Sequence, residues 1–304
     1  MSVGVRPRSG GSEGARLLSY GAPPLFVLLW ASGYIFVRIA LRDTDALTLL
    51  AARYALVEAV LLPVALVLRP ALPRGAAAWL HLAVVGLLMQ AGYFAFVNLS
   101  LAHGLSPGAS ALISCLQPLL VGLLAPFMAG EHVSARRWLG LALGLAGAVL
   151  VILARTRVGG LPLAGLLFAV GALLAMTGGT LYERRYGRAA HPVMASLLQC
   201  GVGLAVALPL AAWLEPMRFV VTPGLVVSLA YLVLANSILA LTLLLVMVRL
   251  GEASRVSALF FMVPPTTALI AWAAFGDTLP PLGWLGLMIS AAGVAVVTLE
   301  RRRR

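Results

Sequence analysis

LQPLLVGLLAPFMAGEHVSARRWLGLALGLAGAV, residues 116–149, returns in altered form as MVPPTTALIAWAAFGDTLPPLGWLGLMISAAGVAV, residues 262–296. At a constant offset of 146 residues Pro118 meets Pro264, Gly130 meets Gly276, Glu131 meets Asp277, Trp138 meets Trp284, Gly140 meets Gly286 and Gly147 meets Gly293. A shared taste for Gly, Leu and Ala would produce some of the glycine matches, but not the proline, acid and tryptophan matches in one register. The same offset carries Arg53 onto Gln199 and Gln90 onto Asn236. The chain therefore reads as one unit duplicated in tandem.

The medium in which the unit folds follows from composition. Of 304 residues 62% are hydrophobic and only 11% charged, against roughly 25% charged in an ordinary soluble protein. Apolar windows follow one another almost without pause, which leaves no room for a separate soluble domain. In lipid each backbone polar group must be satisfied within its own segment, and the windows are too long for barrel strands, so the fold class is an all-α membrane protein. Reading connectors at Arg, Gly and Pro clusters gives ten windows: 23–41, 46–68, 77–99, 105–129, 136–154, 162–181, 192–213, 224–248, 254–275 and 281–299.

The net charge of +12 sits in the connectors, where it orients the chain in the bilayer instead of recruiting nucleic acid. An even number of spans puts both termini on one side. With that side cytoplasmic, Arg6, Arg8, Arg16, Arg69, Arg74, Arg136, Arg137, Arg184, Arg185, Arg188, Arg249, Arg255 and Arg301 to Arg304 lie inside, 16 in all, against five outside: Arg38, Arg42, Arg155, Arg157 and Arg218. An error of one span would scramble that asymmetry. A cleaved signal peptide is weighed for the first window because an Arg-bearing tail precedes it, but its length and the many windows that follow fit an uncleaved span better. The expected organisation is a disordered cytoplasmic tail over 1–22, a first five-helix repeat over 23–154, a linker over 155–161, a second repeat over 162–299 and a basic tail over 300–304. Because five is odd, the second copy runs in the opposite sense. Inverted repeats of this kind place a substrate site near the midplane and work by alternating access.

Several segments carry a resemblance. They are WASGYIFVRIAL in the first window, Arg53 in the second, LQPLLVGLLAPFMAGE in the fourth, TGGTLYERR leaving the sixth and VPPTTALIAWAAFGD in the ninth. In this order they resemble the drug/metabolite transporter superfamily, in its EamA-type ten-helix branch. The resemblance covers nearly the whole chain after the tail and implies transport of small metabolites, usually export, without ATP hydrolysis. It fixes no substrate, since amino acids, amines, nucleobases and drugs all occur among such proteins.

Two charges lie inside the second window, ALTLLAARYALVEAVLLPVALVL, residues 46–68. Arg53 and Glu58 are five positions apart, hence about 140° apart on a helix, and cannot face the same neighbour. Arg53 either snorkels outward from ~10 Å depth or faces the central cavity, where a guanidinium suits a substrate carboxylate or an internal acid. Glu58 sits near mid-span, where desolvation disfavours its charged form; it either handles a proton or is a structural acid, with Tyr54 one turn before it as a candidate hydrogen-bond partner. A small apolar residue is usual in the family at that position, so Glu58 is a departure from its pattern. Gln90, Asn236, Gln117 and Gln199 are amides at central or repeat-matched positions, read either as interhelical glue or as cavity lining. Trp30, Tyr34, Tyr93 and Trp272 offer aromatic walls, or else interface anchors. Pro118, Pro264 and Pro265 break backbone bonding and are candidate hinges.

The rival classes fare worse. His81, His103, His132 and His191 lie apart at span ends or connectors, and no HExxH, paired Asp or Walker-type loop supports an intramembrane enzyme. Cys115 and Cys200 fall in apolar runs as packing thiols. No cofactor and no metal is expected. An uncoupled uniporter or channel is the closer alternative. The expected partners are a small-molecule substrate and the lipid bilayer of a bacterial inner membrane, not nucleic acid, and a homodimer stays open.

Overall fold

The computed structural model describes residues 13–128, 134–159, 162–186, 190–240, 242–243 and 260–300. The helices are α1 (Glu13–Ala40), α2 (Ala46–Leu68), α3 (Ala76–Ala102), α4 (Pro107–Ser114), α5 (Gln117–Met128), α6 (Ala135–Gly159), α7 (Leu163–Tyr186), α8 (Pro192–Leu214), α9 (Pro223–Ala240), α10 (Val263–Phe275) and α11 (Pro281–Glu300). Among the described residues the only extended pairing is a single bridge between Thr44 and Phe219. Among the described residues seven stretches, in α1, α2, α3, α4 continued into α5, α7, α8 and α9, are long and apolar enough to cross a membrane, while Trp138–Val151, Val263–Phe275 and Pro281–Gly293 are shorter apolar helices. The protein is thus an all-helical, multi-pass membrane protein.

Local chemistry sets the ends. Proline opens α4, α8 and α9, where its missing N–H costs nothing. Ser106 and Thr222 cap α4 and α9 by accepting from Ala109 N and Leu225 N at 3.4 and 3.1 Å. Arg69 ends α2 in the left-handed region, φ 45°, with its N–H returned to Ala65 O. The first helix begins at Glu13, so residues 13–22 are helical where the sequence reading places tail. EGARLLSY has one glycine and no proline, and good helix formers extend the helix backwards from the apolar window. The rest of that tail, Glu131 and His132, the start of the 254–275 window and residues 301–304 lie outside the described residues.

Both α3 and α9 widen into π-helix, over Gly86–Tyr93 and Tyr231–Ala240. These stretches fall at the same register of the two sequence copies and contain the matched amides Gln90 and Asn236. A π turn shifts the side chains after it around the axis and loosens the backbone ladder, a feature that gathers at functional sites.

Helix pairing repeats itself between the copies. Helix α1 packs on α9 and α10, as α7 packs on α3 and on α4 with α5; α2 lies on α8, and α6 lies on α11. A Cβ at Gly147 would fall 2.4 Å from Gly286 O, and one at Gly293 would fall 2.6 Å from Gly140 O. Rising numbers on α6 meet falling numbers on α11, so the two helices are antiparallel, in backbone contact through stripes of small residues, Gly140, Gly144 and Gly147 on one and Gly286, Ser290 and Gly293 on the other.

At one end of the bundle the connectors α1–α2 and α8–α9 are latched. Glu215 accepts from Leu47 N, Thr48 N and Thr48 Oγ1 at 2.8, 2.9 and 3.0 Å, capping α2 from across the bundle. Asp45 accepts from Arg218 N at 2.8 Å, Asp43 from Thr222 Oγ1 at 2.6 Å, and Arg38 pairs with Asp277 while lying over Phe275. Glu215→Ala is expected to lower stability by about 1–2 kcal/mol, because it strands two N–H groups of a helix N-terminus. The check is the thermal unfolding midpoint of the purified protein; an unchanged midpoint would show that water replaces the carboxylate.

Candidate functional site

Arg53 projects from α2 toward α9, not outward, and is 3% exposed. Its Nη2 donates to Asn236 Oδ1 at 2.9 Å and Ser237 Oγ at 2.8 Å, and its Nε donates to Ser237 Oγ at 3.0 Å. The guanidinium carbon stands 4.6 Å from the Phe94 ring centroid, a cation–π contact in a desolvated setting. Among the described residues no carboxylate pairs with Arg53 and none accepts from its Nη1.

The π stretch of α9 supplies both acceptors. Asn236 also donates through Nδ2 to Leu29 O at 3.1 Å, tying α1 to the same cluster. Its amide lies so close to α1 that a Cβ at Gly33 would come 2.7 Å from Nδ2, so only glycine fits there without displacement.

Beside this cluster is a cavity of about 20 Å³, room for about one water molecule. Trp30, Tyr34, Tyr93 and Phe94 form its aromatic walls, and Arg53, Asn98 and Asn236 supply its polar surface. The two tyrosine hydroxyls meet at 2.9 Å. Asn98 donates through Nδ2 to Ala46 O at 3.1 Å, while its buried Oδ1 has no hydrogen-bond partner. The cavity lies among α1, α2, α3 and α9, and so draws on both sequence copies.

Of the residues singled out in the sequence, Trp30, Tyr34, Arg53, Tyr93 and Asn236 come together here. Others do not. Glu58 is half-buried on a different face of α2, turned to α8, where Gly201 leaves space beside it, and its Oε1 is buried without a hydrogen-bond partner. Tyr54 does not serve Glu58: its hydroxyl donates to Gln90 O at 2.7 Å and reaches Gln90 Oε1 at 3.1 Å, satisfying a carbonyl of the π stretch in α3. Gln117 donates to Thr180 Oγ1 at 2.9 Å, between α5 and α7. At Gln199 the backbone presses on Gly86, whose Cβ would fall 2.9 Å from Gln199 Cα. Pro118 follows the break between α4 and α5, whereas Pro264 and Pro265 stand in the first turn of α10. Trp272 points outward, 57% exposed.

Three members of the site escaped sequence reasoning: Ser237, Phe94 and Asn98. Ser237 directly follows Asn236 and was legible only as a polar residue inside an apolar window. Asn98 falls at the last turn of the window 77–99, where a polar residue needs no explanation. Nothing local marks Phe94 as the platform for a residue 41 positions earlier.

The EamA-like transporter family matches residues 25–153 and, a second time, residues 163–299. The chain belongs to the EamA-like transporter family. This EamA-like chain is 24% identical over 284 residues to the "Uncharacterized inner membrane transporter YedA" of Escherichia coli K12, covering 93% of this chain and 91% of that protein. It is 23% identical over 282 residues to the "Probable amino-acid metabolite efflux pump" of Salmonella typhimurium, covering 90% and 92%. An "Uncharacterized transporter" of Archaeoglobus fulgidus is 26% identical over 291 residues, covering 92% and 96%. A crystal structure at 20% identity shares the fold with a TM-score of 0.66 over 93% of this chain and 96% of the other.

Proposed function

We propose that this EamA-like protein is a secondary transporter that exports small metabolites by alternating access. The observation that carries the reading is the buried Arg53, with no carboxylate partner among the described residues, beside an aromatic cavity built from both copies. A desolvated charge in a span is costly and characteristically marks a substrate or ion path.

The proposed architecture is ten spans in two inverted repeats, 23–154 and 162–299, joined by 155–161. It draws support from the double family match, the exchanged helix pairings, the two π stretches at one register and the antiparallel glycine contact of α6 with α11. In this architecture α6, α10 and α11 cross as spans five, nine and ten. Both termini are cytoplasmic in the proposed orientation, in a bacterial inner membrane, because Arg69, Arg74, Arg184 and Arg185 gather at the end opposite the latch. At that Arg-rich end a second cavity of about 320 Å³ opens between Arg74, His81, Glu183 and His191. In the alternating-access mechanism Pro118, Pro264 and Pro265 serve as hinge candidates and Glu58 as the proton-handling group.

The test is counterflow in proteoliposomes. Vesicles preloaded with an unlabelled amino acid, amine, nucleobase or carboxylate are expected to accumulate the labelled form transiently for at least one class. A channel equilibrates the label without such an overshoot, so simple equilibration for every solute would overturn the carrier reading.

A further inference from the structure

We infer that the site beside Arg53 selects apolar-bodied carboxylate anions, held by the carboxylate on the free edge of the guanidinium, over amino acids and amines. This inference rests on the cavity being the substrate site.

The argument starts from charge. Arginine stays protonated in proteins, and its fork matches a carboxylate. At 3% exposure Arg53 has lost most of its hydration, yet its partners among the described residues are neutral: the Asn236 amide, the Ser237 hydroxyl and the Phe94 face. Desolvating an ion costs several kcal/mol unless an opposite charge and good hydrogen bonds offset it. Nε and Nη2 are committed to Ser237 and Asn236, which orients the fork and leaves Nη1 without an acceptor among the described residues. An incoming carboxylate completes both the charge and the hydrogen bonding.

The same cavity lacks what a cationic group would need. No acid lines it. Glu58, the acid nearest along the helix, turns to α8 instead. An ammonium would find only aromatic faces and the unpartnered Asn98 Oδ1, while standing close to the Arg53 charge. A zwitterion therefore satisfies the guanidinium at the expense of its own ammonium, and an amine sets aromatic faces and one amide oxygen against repulsion from Arg53. The rings of Trp30, Tyr34 and Tyr93 suit an apolar body of modest size. Since the cavity has room for about one water in this conformation, the ligand enters when the helices around it part.

Three probes share one aromatic body and differ in charge: phenylacetate, phenylalanine and phenethylamine. Equilibrium binding of each, radiolabelled, is measured by scintillation proximity on the full chain in lipid nanodiscs at pH 7.5. Binding is read apart from transport, so failure of the counterflow test and failure of this assignment are distinguishable. The expected result is phenylacetate bound at least about tenfold more tightly than either other probe, a loss of about tenfold or more in Arg53→Gln, and partial retention in Arg53→Lys. Binding of phenylalanine or phenethylamine at equal or higher affinity would overturn the assignment, as would absence of phenylacetate binding to the wild type or its full retention in a folded Arg53→Gln variant. Should Arg53→Gln fail to fold, the wild-type charge series decides alone.

Discussion

Leucine in place of Gly147 is expected to pry α6 from α11 and leave little folded protein. A Cβ at this position would lie 2.4 Å from Gly286 O, 2.5 Å from Ser290 N and 2.7 Å from Ser290 Cβ. Two of those three atoms are backbone, so no flexible side chain can swing aside and the helices themselves must separate. Alanine alone should cost about 1–3 kcal/mol, the usual range for overpacking, and leucine more. Separation would also undo the reciprocal contact of Gly293 with Gly140 O and Gly144 N, since one crossing carries both. In lipid, where apolar tails compete equally well for apolar faces, such close backbone contact is what holds two helices together. Gly178→Ala is the control: nothing lies within 4 Å of its added Cβ, and stability should be unchanged or slightly higher. The measurement is the melting midpoint from fluorescence-detected size exclusion. A Gly147→Leu protein that melts with the wild type would mean the contact is not formed in the membrane.

Glu58→Gln is expected to abolish stimulation of transport by a pH gradient while leaving counterflow without a gradient intact. Glutamine keeps the shape and part of the hydrogen bonding of a protonated glutamate, and removes only the exchangeable proton. The motive is positional. Glu58 Oε1 is buried in a span without a hydrogen-bond partner among the described residues, and an acid placed in a span characteristically marks an ion or proton path. Among the described residues the titratable group near it on α8 is the buried Cys200, while on its own helix Arg53 is turned to α9 and Tyr54 is engaged with Gln90. Stimulation of the variant should fall to the level seen without a gradient, in liposomes of matched protein content. If the gradient still drives Glu58→Gln as strongly as wild type, Glu58 is a structural acid and coupling lies elsewhere.

The contrast between these two residues shows how far sequence reaches. Gly147 was legible from the chain alone: it lies in a small-residue stripe, with Gly293 at the matching place in the second copy, and small residues at helical spacing mark a packing face. Membrane class and family were legible for the same reason. Hydropathy, helix periodicity and repeat register are properties of contiguous residues, and in lipid every span must satisfy its own backbone. The angle between Arg53 and Glu58 was also legible, because it follows from 100° per residue. What each faces was not. Arg53 finds Asn236 and Ser237 in the second copy, Tyr54 passes over Glu58, one turn away, to reach Gln90, and Glu58 is left turned to α8. Those partnerships depend on how each helix is rotated against its neighbours. Rotation is set by close contacts such as Gly33 on Asn236 and Gly86 on Gln199, and by π turns that move every later side chain around the axis. Such contacts join residues far apart in the chain, and no local pattern encodes them; only the packed structure decided which charge meets the cavity.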